Sequence, residues 1–249
     1  MIVDNIEQRS AAWFRLRMGK ITGSKVADLM GKGKNKDDVF SQTAKSYIFQ
    51  LAGERLFNEQ FLNDDDIFQS YIDQVNVTTK AMQWGIDMEE EAKNLLMKLD
   101  IAKGWEMADV ANCSHDEIKN FAASPDALVY DRKKIISIEV KCPSIAVHTK
   151  YMSEIKDGQT LLQVEPKYYW QVMAEMSCSK AEEARFVSYN PWLSKPIHVV
   201  LIERDEEAIK QLEERVILAN QQIDEIVQKA KNNKYNICNS KERLQKPCQ

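Results

Sequence analysis

Two carboxylates and a lysine near the middle of the chain have the types and spacing of a hydrolytic metal site. Ser124-Pro125-Asp126 is followed, after twelve intervening residues, by Glu139-Val140-Lys141-Cys142-Pro143. The intervening Ala127 to Asp131 and Ile135 to Cys142 are β-rich, and Asp-Arg-Lys-Lys between them reads as a hairpin turn. A turn centred on Arg132-Lys133 pairs residues whose numbers add to 265. Asp126 then faces Glu139, with Cβ atoms roughly 5 Å apart. Alternation puts Ile136, Ile138, Val140 and Cys142 on an apolar face, and Asp126, Glu139 and Lys141 on the other. Side-by-side carboxylates repel unless a cation binds between them. Mg²⁺ takes oxygen ligands and keeps its waters, and a water bound there is activated for attack on a phosphodiester. Lys141 would position that water or offset charge on the phosphate. An isolated Glu-x-Lys is ordinarily a solvated strand face; the Pro-Asp on the opposite arm turns the pattern toward chemistry.

The elements that must hold these residues follow from the periodicity. Ser41 to Phe57 carries Ala44, Tyr47, Ile48, Leu51 and Ala52 at helical spacing, and Thr79 to Leu99 carries Ala81, Trp84, Met88, Ala92, Leu95 and Leu99. Gly31 to Lys36 is polar and loop-like. After the hairpin, Lys167 to Cys178 reads as a helix, and Ala184 to Asn190 and Ile197 to Arg204 as strands. Asp205 to Asn232 is one long amphipathic helix, better suited to packing on its own domain than to a coiled coil. The expectation is a single α/β (α+β) domain over 1–249 with a mixed sheet. Its parts are a helical region over about 1–100, a sheet core over about 101–204, a C-terminal helix over about 205–232 and a frayed tail over 233–249.

Several ordered motifs carry a family resemblance. Pro125-Asp126…Glu139-Val140-Lys141 resembles the PD…(D/E)xK nuclease signature. Trp13-x-x-x-Arg17-x-Gly19-x-Ile21-Thr22-x-Ser24, Trp84-Gly85-x-x-x-Glu89-x-x-Ala92, Gln171-Val172 and Val200-x-Ile202-Glu203-Arg204-Asp205 resemble, in order, motifs of the phage lambda exonuclease (YqaJ-like viral recombinase) family. The resemblance spans about 13–227. It implies a restriction-endonuclease-like core, with a mixed central sheet flanked by helices. It also implies a Mg²⁺-dependent 5′→3′ exonuclease on double-stranded DNA ends, releasing 5′-mononucleotides and leaving 3′ single strands for annealing. Two Mg²⁺ ions are implied, with Mn²⁺ able to substitute. Asp126, Glu139 and the Val140 carbonyl would be metal ligands, Lys141 would address the attacking water, and Glu89 would be a third acidic group. Arg17, Ser24, Ser124 and Gln171 would hold the terminal 5′-phosphate. An arginine fork with hydroxyls suits that task.

The resemblance further implies a single-strand annealing protein as partner, a ring-shaped homotrimer, and a phage or prophage protein in the bacterial cytoplasm. Departures from the family pattern are Ala127, where glycine usually follows Ser-Pro-Asp, and Met173 and Glu175, where relatives are more glutamine-like. Alternatives from other classes are a non-catalytic DNA-end-binding module and a PD…ExK endonuclease.

Composition is compatible with all three readings. The 249 residues are 44% hydrophobic with only 8 Gly and 6 Pro, which excludes low-complexity and disordered classes. A net charge of −4 requires any DNA-binding surface to be local. Lys32, Lys34 and Lys36, or Arg132, Lys133 and Lys134, are candidates for backbone contacts. No apolar run reaches membrane length, and Met1 to Asn5 lacks a signal-peptide pattern. Five cysteines, odd in number and without Cys-x-x-Cys spacing, argue against a disulfide framework or zinc site. His115, His148 and His198 read as surface or loop residues. Trp13 and Trp84 read as core, and Glu90 and Glu91 as a solvated face.

Overall fold

The computed structural model describes residues 2–4, 6–35, 38–75, 78–110 and 112–233. Lys36 and the tail from 234 lie outside them. The chain begins with β1 (Ile2–Asp4), α1 (Ala11–Arg17), β2 (Ile21–Thr22), α2 (Gly23–Met30), α3 (Gln42–Glu54), α4 (Glu59–Leu62), α5 (Asp65–Val75) and α6 (Lys80–Leu96). Five strands follow: β3 (Glu106–Ala108), β4 (Asn112–Ser114), β5 (Phe121–Ala123), β6 (Ala127–Asp131) and β7 (Lys134–Lys141). Then come α7 (Ile145–Glu154), α8 (Gly158–Val164), α9 (Pro166–Ser179), β8 (Glu183–Tyr189), β9 (Ile197–Glu203) and α10 (Glu206–Asn232). Helix starts carry the expected caps: Ser41, Thr79 and Asp205 accept from the N–H groups of Ala44, Met82 and Ala208. Among the described residues no helix is long and apolar enough to cross a membrane.

Five strands form a mixed sheet in the order β3-β6-β7-β8-β9. The β6–β7 pair is antiparallel, with Ala127 opposite Ile138 and Asp131 opposite Lys134, the register that the hairpin arithmetic requires. Arg132 takes a left-handed backbone in the turn (φ 58°). Strand β7 pairs parallel with β8, so it is central, with neighbours on both edges. Both its faces are covered, and Glu139 is therefore not on a solvated edge.

One face, carrying Ile136, Ile138 and Val140 with Ala127, Val129 and Val187, packs on Ala92 and Leu96 of α6. The opposite face meets α9, where Val172, Met173, Ala174 and Met176 join a larger core with α2, α3 and α10. Helix α10 buries Ile209, Leu212, Val216, Ala219, Ile223 and Val227 against that core, so its heptad-like stripe serves its own fold. Each of the larger of these side chains, Ala219 aside, contributes about 1.5–3 kcal/mol of transfer free energy.

A second sheet, in the order β1-β4-β5-β2, takes two of its strands, β1 and β2, from the region expected to be helical. Its strands are two or three residues long, too short to show a period. The β2–β5 pairing brings the N-terminal segment to the strand that leads into Ser124 and Asp126. Gly23 opens α2 so close to β5 that a Cβ there would lie 3.1 Å from that of Ala123. Gly19 takes φ 69°, and a Cβ would lie 2.8 Å from Arg55 Cγ.

Candidate active site

Asp126 stands one residue before β6. Its N–H donates to the Ile138 carbonyl (3.0 Å), and its Oδ2 accepts from the Val140 N–H (2.6 Å). The carboxylate is thereby locked onto the backbone beside Glu139. Ala127 is buried in β6 without a positive φ, so the missing glycine costs nothing there.

Glu139 is fully buried. Its Oε1 accepts from Gln171 Nε2 (2.6 Å) and from Lys141 Nζ, while its Oε2 has no hydrogen-bond partner. Lys141 Nζ also lies 5.1 Å from the Tyr168 ring centroid. Burial, then the Glu139 charge, push the Asp126 carboxyl well above the usual range, with Lys141 offsetting part of the rise. Burial works against the Lys141 charge, but Glu139 and Asp126 outweigh it and hold the amine above its ordinary value.

Gln171 projects from α9 onto this cluster, not onto Arg17. Its Nε2 also donates to Glu175 Oε1 (3.0 Å), one helical turn further on. Glu175 is fully buried, and its Oε2 accepts from Ser137 Oγ (3.2 Å). Burial, then the neighbouring Glu139 charge, raise its carboxyl well above the usual value. The Gln171-x-x-x-Glu175 spacing put both on one helix face, which was the available signal for Glu175.

Glu89 lies on α6 and lines the same open cleft, of about 1130 Å³, as Asp126, Lys141, Gln171 and Ser24. Its Oε2 is paired with Arg9 Nη2 at 2.7 Å. Arg9 is 80 residues from Glu89 in the chain, and nothing in its local sequence marks it. Glu90 and Glu91 are exposed, as expected; Glu90 pairs with Lys93 (3.2 Å) and Glu91 accepts from the Tyr189 hydroxyl (2.6 Å). Trp84 is half-buried, lining the cleft while packing against the α6 side of the sheet.

Arg17, Ser24 and Ser124 converge. Arg17 Nη1 donates to Ser124 Oγ at 2.7 Å, and Nη2 lies 3.5 Å from Ser24 Oγ. The guanidinium stacks 4.1 Å from the Trp13 ring centroid. Trp13 is thus not a core residue: it is half-buried on a helix with no buried side chains. Burial pulls Arg17 down to about 10, so it remains charged at neutral pH. Ser24 lines both the large cleft and a smaller cavity of about 210 Å³ that Arg17 and Thr22 border. The N–H of Thr22 donates to the Tyr47 hydroxyl (3.2 Å).

The histidines are more enclosed than expected, although His115 lies in the loop between β4 and β5. His115 is buried, accepts at Nδ1 from the N–H groups of Glu117 and Ile118, and meets Glu213 through Nε2 (3.2 Å). His148 is fully buried with Nδ1 2.6 Å from Ser188 Oγ, and burial lowers its pKa. His198 Nε2 meets the Ile155 carbonyl (2.9 Å). Lys32, Lys34, Arg132 and Lys133 are exposed, and Lys134 pairs with Glu183.

Among the described residues, no group of three or more His, Cys, Asp or Glu side chains is arranged to hold a metal ion. The donor set at Asp126 and Glu139 nevertheless fits a hard cation. A fully buried carboxylate oxygen without a partner, Glu139 Oε2, is costly unless something positive meets it.

The family model of the YqaJ-like viral recombinase domain matches residues 12–182. An alkaline exonuclease (LHK-Exo) from Laribacter hongkongensis is similar in structure, with TM-score 0.69, 27% identity, and coverage of 89% of this chain and 96% of that one. LHK-Exo in complex with dAMP gives TM-score 0.70 at the same identity and coverage. A phage-related exonuclease from Haemophilus somnus 129PT, at 21% identity and TM-score 0.59, covers 85% of this chain and 96% of its own and shares the fold. No curated protein matches the chain.

Proposed function

The chain belongs to the YqaJ-like viral recombinase family, and on that footing we propose that it is a Mg²⁺-dependent exonuclease acting on the ends of linear double-stranded DNA. Family and exonuclease neighbours support a phage-type nuclease with a divalent metal requirement. The observation that carries the reading furthest is the buried, unpartnered Glu139 Oε2 beside Asp126, which lines the open cleft.

Asp126, Glu139 and the Val140 carbonyl would hold the metal, with Glu89 as a further acidic group. A divalent cation bound there would polarise a phosphoryl oxygen and supply an activated water. Lys141, fixed between Glu139 and the Tyr168 ring, faces the cleft as a permanent cation where negative charge develops in the transition state. Gln171 orients the Glu139 carboxylate through Oε1 and leaves Oε2 for the metal. Arg17, Ser24 and Ser124 form a donor-rich group suited to a terminal 5′-phosphate. Holding that phosphate next to the hydrolytic centre would select ends and set the 5′→3′ direction. The products would be 5′-mononucleotides and a 3′ single strand, the substrate of a single-strand annealing protein. A ring-shaped homotrimer working in the bacterial cytoplasm completes the reading.

Digestion of end-labelled linear and covalently closed duplex, with and without Mg²⁺, tests it. Mononucleotide release from linear DNA only, and only with Mg²⁺, is expected. Cutting of closed circles would instead identify an endonuclease, and Mg²⁺-supported end binding without cutting a recruitment module.

A further inference from the structure

Arg9 sits in the loop before α1 with a left-handed backbone (φ 68°), a conformation that suits glycine and disfavours any side chain. The loop is anchored on both sides of it. Gln8 Nε2 donates to the Val110 carbonyl (2.7 Å) and the Pro125 carbonyl (3.2 Å), and Ser10 Oγ caps α1 by accepting from the Trp13 N–H (3.2 Å). Held this way, the Arg9 guanidinium reaches Glu89 Oε2 at 2.7 Å.

Asp126, Glu139 and Glu89 then each have a hydrogen-bond donor of their own, and for Glu139 and Glu89 one of the donors is a cation. Asp126 has the Val140 N–H, Glu139 has Lys141 and Gln171, and Glu89 has Arg9. Lys93 is a lesser partner of Glu89, at 3.9 Å, and is engaged by Asp109 at 2.9 Å and Glu90 at 3.2 Å. Arg9 also borders two openings, the large cleft and a second groove of about 560 Å³, and both reach Asp126 and Glu89.

We propose that Arg9 is a built-in counter-ion that holds Glu89 until a divalent cation binds the carboxylates, and then engages a phosphate of the DNA in the cleft. The inference rests on the metal-dependent nuclease reading and extends it to a residue outside the acidic motifs. A guanidinium cannot give up its charge. Sharing Glu89 with a divalent ion therefore carries a Coulombic penalty. Arg9 has 43% of its side chain exposed and loses little packing by turning away. DNA entering the cleft would present phosphates to it, and a planar guanidinium binds a phosphate in bidentate fashion.

The test uses Arg9→Gly, which accepts the left-handed backbone, and Arg9→Lys, which keeps the charge. Mg²⁺ alone is titrated into DNA-free protein by calorimetry, and binding of a 5′-phosphorylated duplex is measured in Ca²⁺ by fluorescence anisotropy. Arg9→Gly should bind Mg²⁺ about fivefold more tightly and DNA about fivefold more weakly, the scale of a partly exposed charge pair. Arg9→Lys, which keeps the charge but not the fork, should stay near wild type for Mg²⁺ and fall between wild type and Arg9→Gly for DNA. Opposite signs from one substitution are not what a merely structural residue gives. Equal or weaker Mg²⁺ binding in Arg9→Gly overturns the counter-ion, and unchanged DNA affinity overturns the phosphate contact. A wild-type protein that binds no Mg²⁺ overturns the nuclease reading along with it, whereas normal wild-type binding with an unaltered variant overturns this inference alone.

Discussion

Arg17 donates to the Ser124 hydroxyl at 2.7 Å across 107 residues of sequence. The β2–β5 pairing makes the contact, since Thr22 lies opposite Ala122, two residues before Ser124. One hydrogen bond therefore joins the N-terminal motif to the strand that leads into Asp126. The group it builds is rich in donors and, through Ser24, borders the cleft that Asp126 lines.

A duplex with a 5′-phosphate should accordingly be degraded faster than one with a 5′-hydroxyl. A charged hydrogen bond contributes roughly 1.5–3 kcal/mol, so the preference should be on the order of tenfold or more. Arg17→Ala should erase it. Trp13→Leu should shrink it, because the ring that stacks on the guanidinium at 4.1 Å is lost; such a contact contributes about 0.5–2 kcal/mol. Matched initial rates on the two ends check this, and equal wild-type rates would remove the phosphate pocket.

Lys141→Ala should lower turnover by roughly 10²–10³-fold, the scale for losing one preorganised transition-state contact. DNA affinity in Ca²⁺ should change far less. Single-turnover rates beside anisotropy titrations separate the two effects. Comparable losses in both would make Lys141 a backbone contact only.

The raised carboxyls give a pH dependence of definite sign. Asp126 and Glu175 bind protons more tightly in the fold than in the unfolded chain. Their contribution to stability is present at low pH. It is lost as pH rises from the ordinary carboxylate range through their raised values. Metal-free protein should therefore melt at lower temperature as pH rises through that window. Glu175→Gln, a neutral replacement of similar shape, should flatten the slope and melt higher at alkaline pH. Mg²⁺ should restore more stability at high pH than at low, because Asp126 must lose its proton to bind the metal. Melting curves in chelator and in Mg²⁺ across pH check both statements; a Glu175→Gln profile parallel to wild type would contradict the first.

The hairpin register was legible because alternation and a short turn leave few options: Ala127 meets Ile138 as the arithmetic requires. The stripe on α10 was legible for the same reason, a long period repeated many times. The second sheet was not, because strands as short as Ile21–Thr22 carry no period. Gln171 was expected among the phosphate donors, but its position on α9 aims it at Glu139. Trp13 was expected in the core because apolar type alone does not distinguish burial from stacking on an arginine. His115 and His148 were read as surface or loop residues; their burial was not legible because their partners, Glu213 and Ser188, are distant in sequence. Arg9 had no local signal, since its role depends on a contact 80 residues away.

The most direct test of the account is hydrolysis of a linear, 5′-phosphorylated duplex in Mg²⁺ by the wild type, Asp126→Ala and Glu139→Gln. Wild-type protein should release mononucleotides. Both variants should lose cleavage by three orders of magnitude or more, the scale of removing several kcal/mol of metal-derived stabilisation, while binding DNA ends within a few fold in Ca²⁺. Mg²⁺-dependent cleavage retained by either variant would contradict the placement of the metal at Asp126 and Glu139.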